Sequence, residues 1–210
     1  MNAEEIISKG LIKSAVISVH GLASVKILSE VYHQQINNLS RQIKLIKEDE
    51  YRNDIEKAGM YKKVSSYMTE SLGSTLVSII DTIELESIHS KDLKESTLKG
   101  GEKSVNLVLA THLRENRRDV INLLESDMRY AQAATEFPAS YFGLEDETLK
   151  VAQERSLLRN IPELAKQERL IENSKYHSRR LVRYFNGLSA ELEMLANDHV
   201  MKSSVNKLSS

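Results

Sequence analysis

Residues 94–116, KESTLKGGEKSVNLVLATHLREN, contain the only Gly-Gly pair of the chain, between two long stretches with helical periodicity. Glycine accepts a positive φ at a helix end without a steric penalty, so this pair predicts a break and a reversal of direction. We predict a hinge formed by Gly100, Gly101 and Ser104, with Ser104 capping the next helix. The apolar positions of that helix follow at once, at Val105, Leu107, Val108 and Leu109.

The composition favours an all-α protein built from long helices. Of 210 residues, two are proline, none is tryptophan or cysteine, and 5% are aromatic. Such a chain is poor in the residues that β-sheets prefer and suits helices packed side by side. The lack of cysteine excludes disulfides and thiolate metal sites. The net charge is −1, so contact with nucleic acid or anionic lipid would need a local basic patch.

We predict an elongated, coiled-coil-like assembly protein of five or six helices with a Gly-Gly hinge. The predicted segments are an N-terminal helical arm at 1–99, the hinge and a middle helix at 100–137, C-terminal helices with a heptad seam at 138–200, and a polar tail at 201–210. The middle helix is expected to be continuous until Phe137, because a residue before proline avoids the α region.

Two apolar stripes have the spacing of coiled-coil seams. Steps of 4, 3, 4 and 3 link Tyr32, Ile36, Leu39, Ile43 and Ile46. The second stripe lies on a helix predicted from residue 163 to about 200 and comprises Ile171, Ser174, Ser178, Leu181, Phe185, Leu188, Leu192, Leu195 and His199. Neither stripe is broad enough for a solitary core, so we expect burial against copies of the same chain.

Small residues recur at spacings near four in the most apolar segment, residues 3–30. Small residues let helices approach closely, in water or in lipid. The predicted close-packing or membrane-entering face consists of Gly10, Ser14, Ser18, Gly21 and, on a later helix, Gly73. Burial in a bundle or oligomer and entry into a membrane after a conformational change are both open from the sequence. Gly59, Gly73, Gly100, Gly101 and Gly143 are further expected to act as joints during refolding.

Two arginine clusters are candidates for contacts with phosphates or between subunits, because the planar guanidinium suits phosphate and carboxylate oxygens. The first cluster is Arg114, Arg117 and Arg118, and the second is Arg179, Arg180 and Arg183. Acidic residues lie near both clusters in the sequence, so a solvated face, or a face with salt bridges between subunits, is the alternative interpretation.

Two Glu-x-x-His pairs, Glu30 with His33 and Glu86 with His89, match half of the ligand pattern of helical di-metal proteins. Such a site needs two further carboxylates, and the sequence singles out none, so we expect no metal and no cofactor. The sequence also lacks the familiar nucleophile motifs and glycine-rich phosphate loops. We therefore expect no catalytic residues and no enzymatic activity.

The order Glu95-Ser96, Leu98, Gly100 and Ser104 is followed by a polar helix with an arginine-rich segment. Over about residues 90–135 this pattern resembles the small internal virion protein of T7-like podophages, a core and ejection protein. An apolar N-terminal segment with small residues, a helix rich in Gln, Asn and Lys, the total length and the lack of cysteine are similar too. The heptad helix from residue 163 departs from the Gly/Ala/Ser-rich tail expected in that family.

The resemblance implies a homo-oligomer in the capsid core, together with other internal virion proteins and close to the portal and tail. It implies ejection into the host envelope, where such proteins form part of a DNA channel in the outer membrane and touch genomic DNA only non-specifically. One alternative is a helical adaptor or pilus-tip component of a bacterial secretion system. Another is a di-metal carboxylate helical-bundle protein that uses Glu30, His33, Glu86 and His89.

Overall fold

A computed structural model describes residues 2–208, and side chains through residue 205. The described residues are 89% helical and contain no strand, which confirms the all-α class. The α-helices are α1 (Ala3–His20), α2 (Ala23–Glu48), α3 (Asp54–Tyr67), α4 (Gly73–Leu98), α5 (Lys103–Glu115), α6 (Val120–Ser126), α7 (Met128–Ala133), α8 (Asp146–Asn160) and α9 (Pro162–Leu208). A π-helical turn, Met68–Leu72, joins α3 and α4 into one continuous helix, and short 3₁₀ helices cover Ala134–Glu136 and Ala139–Phe142.

Contacts divide the chain into two compact units. The first unit contains the residues up to Glu84 together with those from Leu170 onward, and the second runs from Leu85 to Arg169. This grouping differs from the four consecutive segments predicted above, because the C-terminal part of α9 packs with the N-terminal helices. The helix α9 also continues to Leu208, into the predicted polar tail.

The antiparallel pair α1 and α2 has an unusually close approach between its helices. A Cβ atom on Gly10 would lie only 2.7 Å from Cδ1 of Ile36. The hydroxyl of Ser29 donates to the backbone oxygen of Ser14 at 2.6 Å. These contacts place small residues of α1 directly against α2, so the pair is held by packing and by a buried hydrogen bond.

Both predicted stripes face the core of the first unit. Tyr32, Ile36, Leu39, Ile43 and Ile46 are all buried. On α9, Leu181, Leu188 and Leu192 are buried in the same hydrophobic cluster. The stripes that we expected to be buried against copies are therefore buried within one chain, because the fold brings segments more than 100 residues apart into contact.

Glycine does not set the helix boundaries in residues 49–98. Gly59 and Gly73, predicted as joints, lie inside the continuous helix. The break between α2 and α3 falls at residues 49–53 and ends in a capping box. There Asn53 Oδ1 accepts from the Glu56 amide at 3.0 Å, and Glu56 Oε2 accepts from the Asn53 amide at 3.1 Å. This reciprocal cap satisfies two amides that would otherwise lack partners at the helix start.

The single middle helix that the sequence predicts is divided into α5, α6 and α7. Asn116 ends α5, and its Nδ2 donates to the backbone oxygen of His112 at 2.9 Å. Asp127 caps α7, accepting from the amide of Arg129 at 2.9 Å. Side chains of Asn and Asp compete for backbone groups in this way, and apolar periodicity alone does not reveal it. The predicted end of the segment at Phe137 is confirmed, and α9 begins at Pro162, one residue before the predicted start.

The second unit has its own small core and a semi-buried ion-pair group. Buried residues of this core include Ala110, Leu113, Val120, Leu124, Phe142 and Leu149. The ammonium of Lys94 on α4 lies 2.7 Å from Glu154 on α8 and also pairs with Glu168 on α9. One lysine thus links three helices of this unit.

Within the described part of the chain, none of the helices has the length and apolar character needed to cross a membrane.

Candidate functional site

The Gly-Gly turn between α4 and α5 is a tight corner. Gly101 has a φ of 111°, the left-handed region that glycine accepts most readily. Glu102, and not Ser104, is the N-cap residue of α5. The hydroxyl of Ser104 instead donates to the Glu102 carboxylate at 2.8 Å. The predicted cap is therefore wrong, because Ser104 lies inside the helix, two residues after the cap.

Residues 30 to 35 positions further along the chain hold this corner in place. The Gln132 side-chain amide donates to the backbone oxygen of Thr97 at 2.9 Å. Asn106, only 3% exposed, donates to the Glu136 carboxylate at 2.8 Å. Gly101 packs against Asn106, and the whole corner lies inside the second unit. The pair of glycines is thus a packed corner and does not separate the two units, which corrects the expectation of a joint between two halves.

Three large aliphatic side chains in the first half of the helix α5 face outward. Its buried residues are Asn106, Ala110 and Leu113. Val105, Leu107 and Val108 are 44%, 56% and 68% exposed. The inward face is set by the hydrogen bond of Asn106 and by small Ala110, which allows a close approach.

The predicted close-packing residues lie at contacts within the first unit. Gly10 faces Ile36, and Gly73 faces the ring of Phe185, from which a Cβ would be 3.3 Å away. Ser14 is buried. Ser18 donates to the Glu30 carboxylate at 3.3 Å. The remaining residue of this group, Gly21, forms the turn between α1 and α2.

Gly10→Ala is expected to destabilise the protein by about 1 kcal/mol, since overpacking at Ile36 exceeds the helical gain of alanine over glycine. In an Ile36→Val background the same change should stabilise by about 1 kcal/mol, because valine lacks the Cδ1 atom that the new methyl meets. Urea unfolding of the four proteins in this double-mutant cycle measures the coupling. If the effects of Gly10→Ala and Ile36→Val on the free energy of unfolding were strictly additive, they would contradict a close contact between these two residues.

The first arginine cluster lies at the end of α5 and in the turn after it. The guanidinium of Arg114 lies 5.2 Å from the ring centre of Tyr141, a cation–π distance. A Cβ on Gly143, which has a positive φ of 74°, would lie 3.6 Å from Cδ of Arg117. Arg117 and Arg118 are exposed. Contacts with an aromatic ring and a glycine turn therefore position two of these three side chains.

The second arginine cluster lies on α9 beside the turn between α1 and α2. Arg180 is half-buried, with its guanidinium 4.5 Å from the ring centre of Tyr176, while Arg179 and Arg183 are exposed. Within residues 2–205, none of the six arginines of the two clusters makes an ion pair with a carboxylate.

Hydrogen bonds from α9 fix the turn between α1 and α2 next to this cluster. The Asn173 amide donates to the backbone oxygen of His20 at 2.8 Å. The Leu22 amide donates to the hydroxyl of Ser174 at 3.0 Å. Gly21 lies between these two anchored residues. The C-terminal end of α1 is therefore held on α9 by side chains that are about 150 residues distant in sequence.

His177 completes a group of four basic side chains, Lys13, His20, His177 and Arg180, which we call the α1–α9 cationic cluster. His177 is only 9% exposed, and its Nδ1 has no hydrogen-bond partner among the described residues. Burial lowers the pKa of His177, and the positive charges of Lys13, Arg180 and His20 lower it further. Both effects favour the neutral imidazole.

Three of the four Glu-x-x-His residues take part in ordinary polar contacts. His33 Nδ1 lies 2.9 Å from the hydroxyl of Ser14, and Glu30 accepts from Ser18. Glu86 accepts from the Gln167 amide at 3.5 Å. In the part of the chain that is described, no three His, Asp or Glu side chains are grouped so that they could hold a metal ion.

One further histidine contact was not foreseen from the sequence. His199 Nδ1 lies 2.7 Å from Asp54 Oδ1, and its imidazole stacks on Tyr61 at a centroid distance of 5.6 Å. His199 and Tyr61 border a surface cavity of about 280 Å³ whose lining includes Lys47 and Glu191 but no serine or cysteine. The 145 residues between Asp54 and His199 explain why no sequence spacing could reveal the pair.

The hydroxyl of Tyr32 lies in the core of the first unit without a hydrogen-bond partner among the described residues. Its side chain is fully buried, and its hydroxyl makes no hydrogen bond with the described residues. Burial raises the pKa of this phenol. An unpartnered buried hydroxyl costs free energy, so its removal should not weaken the fold.

Tyr32→Phe is expected to leave the free energy of unfolding unchanged or to raise it by about 1 kcal/mol, because the hydroxyl is buried without a partner. Tyr32→Leu, the matched variant that also reduces side-chain volume, should instead lower it by about 2 kcal/mol. Thermal and urea unfolding compare both variants with the parent protein. A clear loss of stability in Tyr32→Phe would mean that the hydroxyl has a partner.

Comparisons of the chain with protein-family models, curated proteins and solved structures yield no match.

Proposed function

We propose that the chain is a structural, non-enzymatic internal virion protein of a tailed phage. In this proposal it self-assembles in the capsid core with the other internal proteins and later forms part of a DNA-ejection channel in the host envelope. The resemblance over about residues 90–135 supplies the identity of the class. The observation that carries the proposal is the exposed aliphatic surface of α5, which lies in that same stretch.

The α5 surface has the character of a protein contact. Val105, Leu107 and Val108 lie within four consecutive residues of one helix and are exposed. On α4, in the same unit, Leu85 and Ile88 are 66% and 57% exposed. Single exposed aliphatic residues are ordinary on proteins, whereas grouped ones mark surfaces that bind a partner. A second copy of the chain is the partner that this proposal requires.

Sedimentation equilibrium of the full chain tests the self-assembly step. Val108→Asp and Leu107→Asp should shift the protein towards the monomer, because a charge on the α5 surface opposes burial. Leu45→Asp is the matched control, since Leu45 is as exposed as Val108, at 68%, but lies on α2 of the first unit. A monomeric parent protein, or an equal effect of the control, would remove this support.

The envelope step has its own test. Vesicles made with outer-membrane lipids and loaded with a self-quenching dye should leak when the purified chain is added. After infection the chain should also fractionate with the host envelope. If neither leakage nor envelope association occurs, the channel role is lost, whereas the self-assembly result stands by itself.

A further inference from the structure

We infer that the α1–α9 cationic cluster, formed by Lys13, His20, His177 and Arg180, is a binding site for a phosphate group. The inference does not depend on the proposed virion role, because it rests only on contacts within the first unit. The sequence indicated three arginines on one helix as candidates for phosphate contacts. The inference names the ligand and places its site between α1 and α9.

The cluster is held in place before any ligand arrives. Asn173 anchors the backbone of His20, and Ser174 anchors that of Leu22, so the end of α1 is fixed against α9. The guanidinium of Arg180 is positioned over the ring of Tyr176. The imidazole of His177 meets the same ring edge-on, at a centroid distance of 5.0 Å. Preorganised donors of this kind lose little conformational entropy when they bind an anion.

The charge of the cluster is uncompensated within the described residues. Lys13, His20 and Arg180 make no ion pair with a carboxylate there. His177 is more than nine-tenths buried beside them, with one ring nitrogen unpartnered. Positive charges that lie close together repel one another, whereas each of them attracts an anion placed between them.

A phosphate group fits this set of donors better than a carboxylate. An ammonium, a guanidinium and two imidazoles lie on two helices, close enough for Lys13, Arg180 and His20 to act electrostatically on His177. Phosphate offers three or four oxygens and up to two negative charges. Arginine and lysine are the side chains that bind phosphate most often, arginine through paired N–H bonds. The exposed Arg179 and Arg183 extend the positive surface along α9. The phosphate can therefore come from a small phosphorylated molecule or from a nucleic-acid backbone.

The test uses the full chain with labelled histidines and titrates inorganic phosphate while side-chain NMR signals are recorded. Phosphate should shift the signals of His177 and His20 and raise the pKa of His177, because a bound anion favours the protonated imidazole.

Lys13→Gln and Arg180→Gln should each weaken binding about tenfold, the loss expected for one charge-assisted hydrogen bond. Lys44→Gln, which removes an exposed charge of the same unit, should leave the affinity unchanged. Arg180→Lys, which keeps the charge, should lie between the parent and Arg180→Gln.

A second arm identifies the source of the phosphate. Duplex DNA binding is followed by fluorescence anisotropy, with and without inorganic phosphate as a competitor. DNA binding that Arg180→Gln abolishes supports the site with a nucleic-acid source, and phosphate binding without DNA binding supports it with a small-molecule source.

Absence of any phosphate-dependent shift at His177 overturns the inference. An equal loss in Lys44→Gln also overturns it, since the effect would then reflect overall charge. Circular dichroism of each variant confirms that the helices are intact.

Discussion

Gly101→Ala is expected to destabilise the second unit by about 2–4 kcal/mol, the sum of a left-handed backbone penalty and a disrupted charge-assisted hydrogen bond. Gly101 has a φ of 111°, which alanine adopts only with strain. A Cβ there would also lie 2.8 Å from Oδ1 of Asn106. Asn106 is buried and donates to Glu136, so it cannot move away without losing that bond.

Gly59→Ala is the control for this prediction. A Cβ on Gly59 would have no neighbour within 4 Å, and the residue lies in α3. The same substitution should therefore stabilise the protein by up to about 1 kcal/mol through helix propensity. Urea unfolding gives the two free energies, and hydrogen exchange should show faster opening of residues 85–169 in Gly101→Ala only. A neutral Gly101→Ala variant would show that the corner is a flexible connection.

The helix pattern was largely predictable because it depends on local periodicity. The stripe from Tyr32 to Ile46 and the one from Ile171 to His199 mark inward faces, and the structure buries most of their members. Pro162 and the residues before Pro138 mark boundaries through fixed steric preferences. These signals involve neighbours within a few residues, so a single sequence contains them completely.

The partners of those faces could not be predicted, because they depend on contacts between distant segments. Both stripes are buried in one chain, although each is too narrow to suggest this by itself. Asn106 illustrates the same limit on a smaller scale. It is polar, yet it faces inward because Glu136 accepts its hydrogen bond, and the aliphatic residues around it are left outside.

The candidate phosphate site was predictable only in part. Arg179, Arg180 and Arg183 are close together in sequence, so their clustering on α9 was visible. Lys13 and His20 lie about 160 residues earlier, and nothing in their local sequence connects them with α9. Their place beside His177 follows from the anchored turn at Gly21, which periodicity does not encode.

Gly21→Ala is expected to destabilise the first unit by about 2–3 kcal/mol, the usual range for overpacking with the added loss of one hydrogen bond. The backbone of Gly21, with φ −93° and ψ −170°, is open to alanine, so the effect is steric. A Cβ there would lie 2.5 Å from the backbone oxygen of Ile17 and 2.9 Å from the hydroxyl of Ser174. The oxygen belongs to the last turn of α1 and cannot rotate away as a side chain can. The turn must therefore move, and the bond from Leu22 to Ser174 is stretched or lost.

Gly187→Ala, on α9 in the same unit, is the matched control. Its Cβ would meet only Cδ1 of Ile6, at an ordinary contact distance of 3.5 Å, so a neutral or slightly stabilised protein is expected. Denaturant unfolding compares the two variants, and the phosphate titration at His177 adds a functional measurement. Because His20 is anchored beside Gly21, movement of the turn in Gly21→Ala should weaken phosphate binding even where the protein remains folded. Gly187→Ala should bind phosphate like the parent, since it leaves the turn unchanged. Normal stability together with normal phosphate affinity in Gly21→Ala would show that the close approach of α1 to α9 is not required for either property.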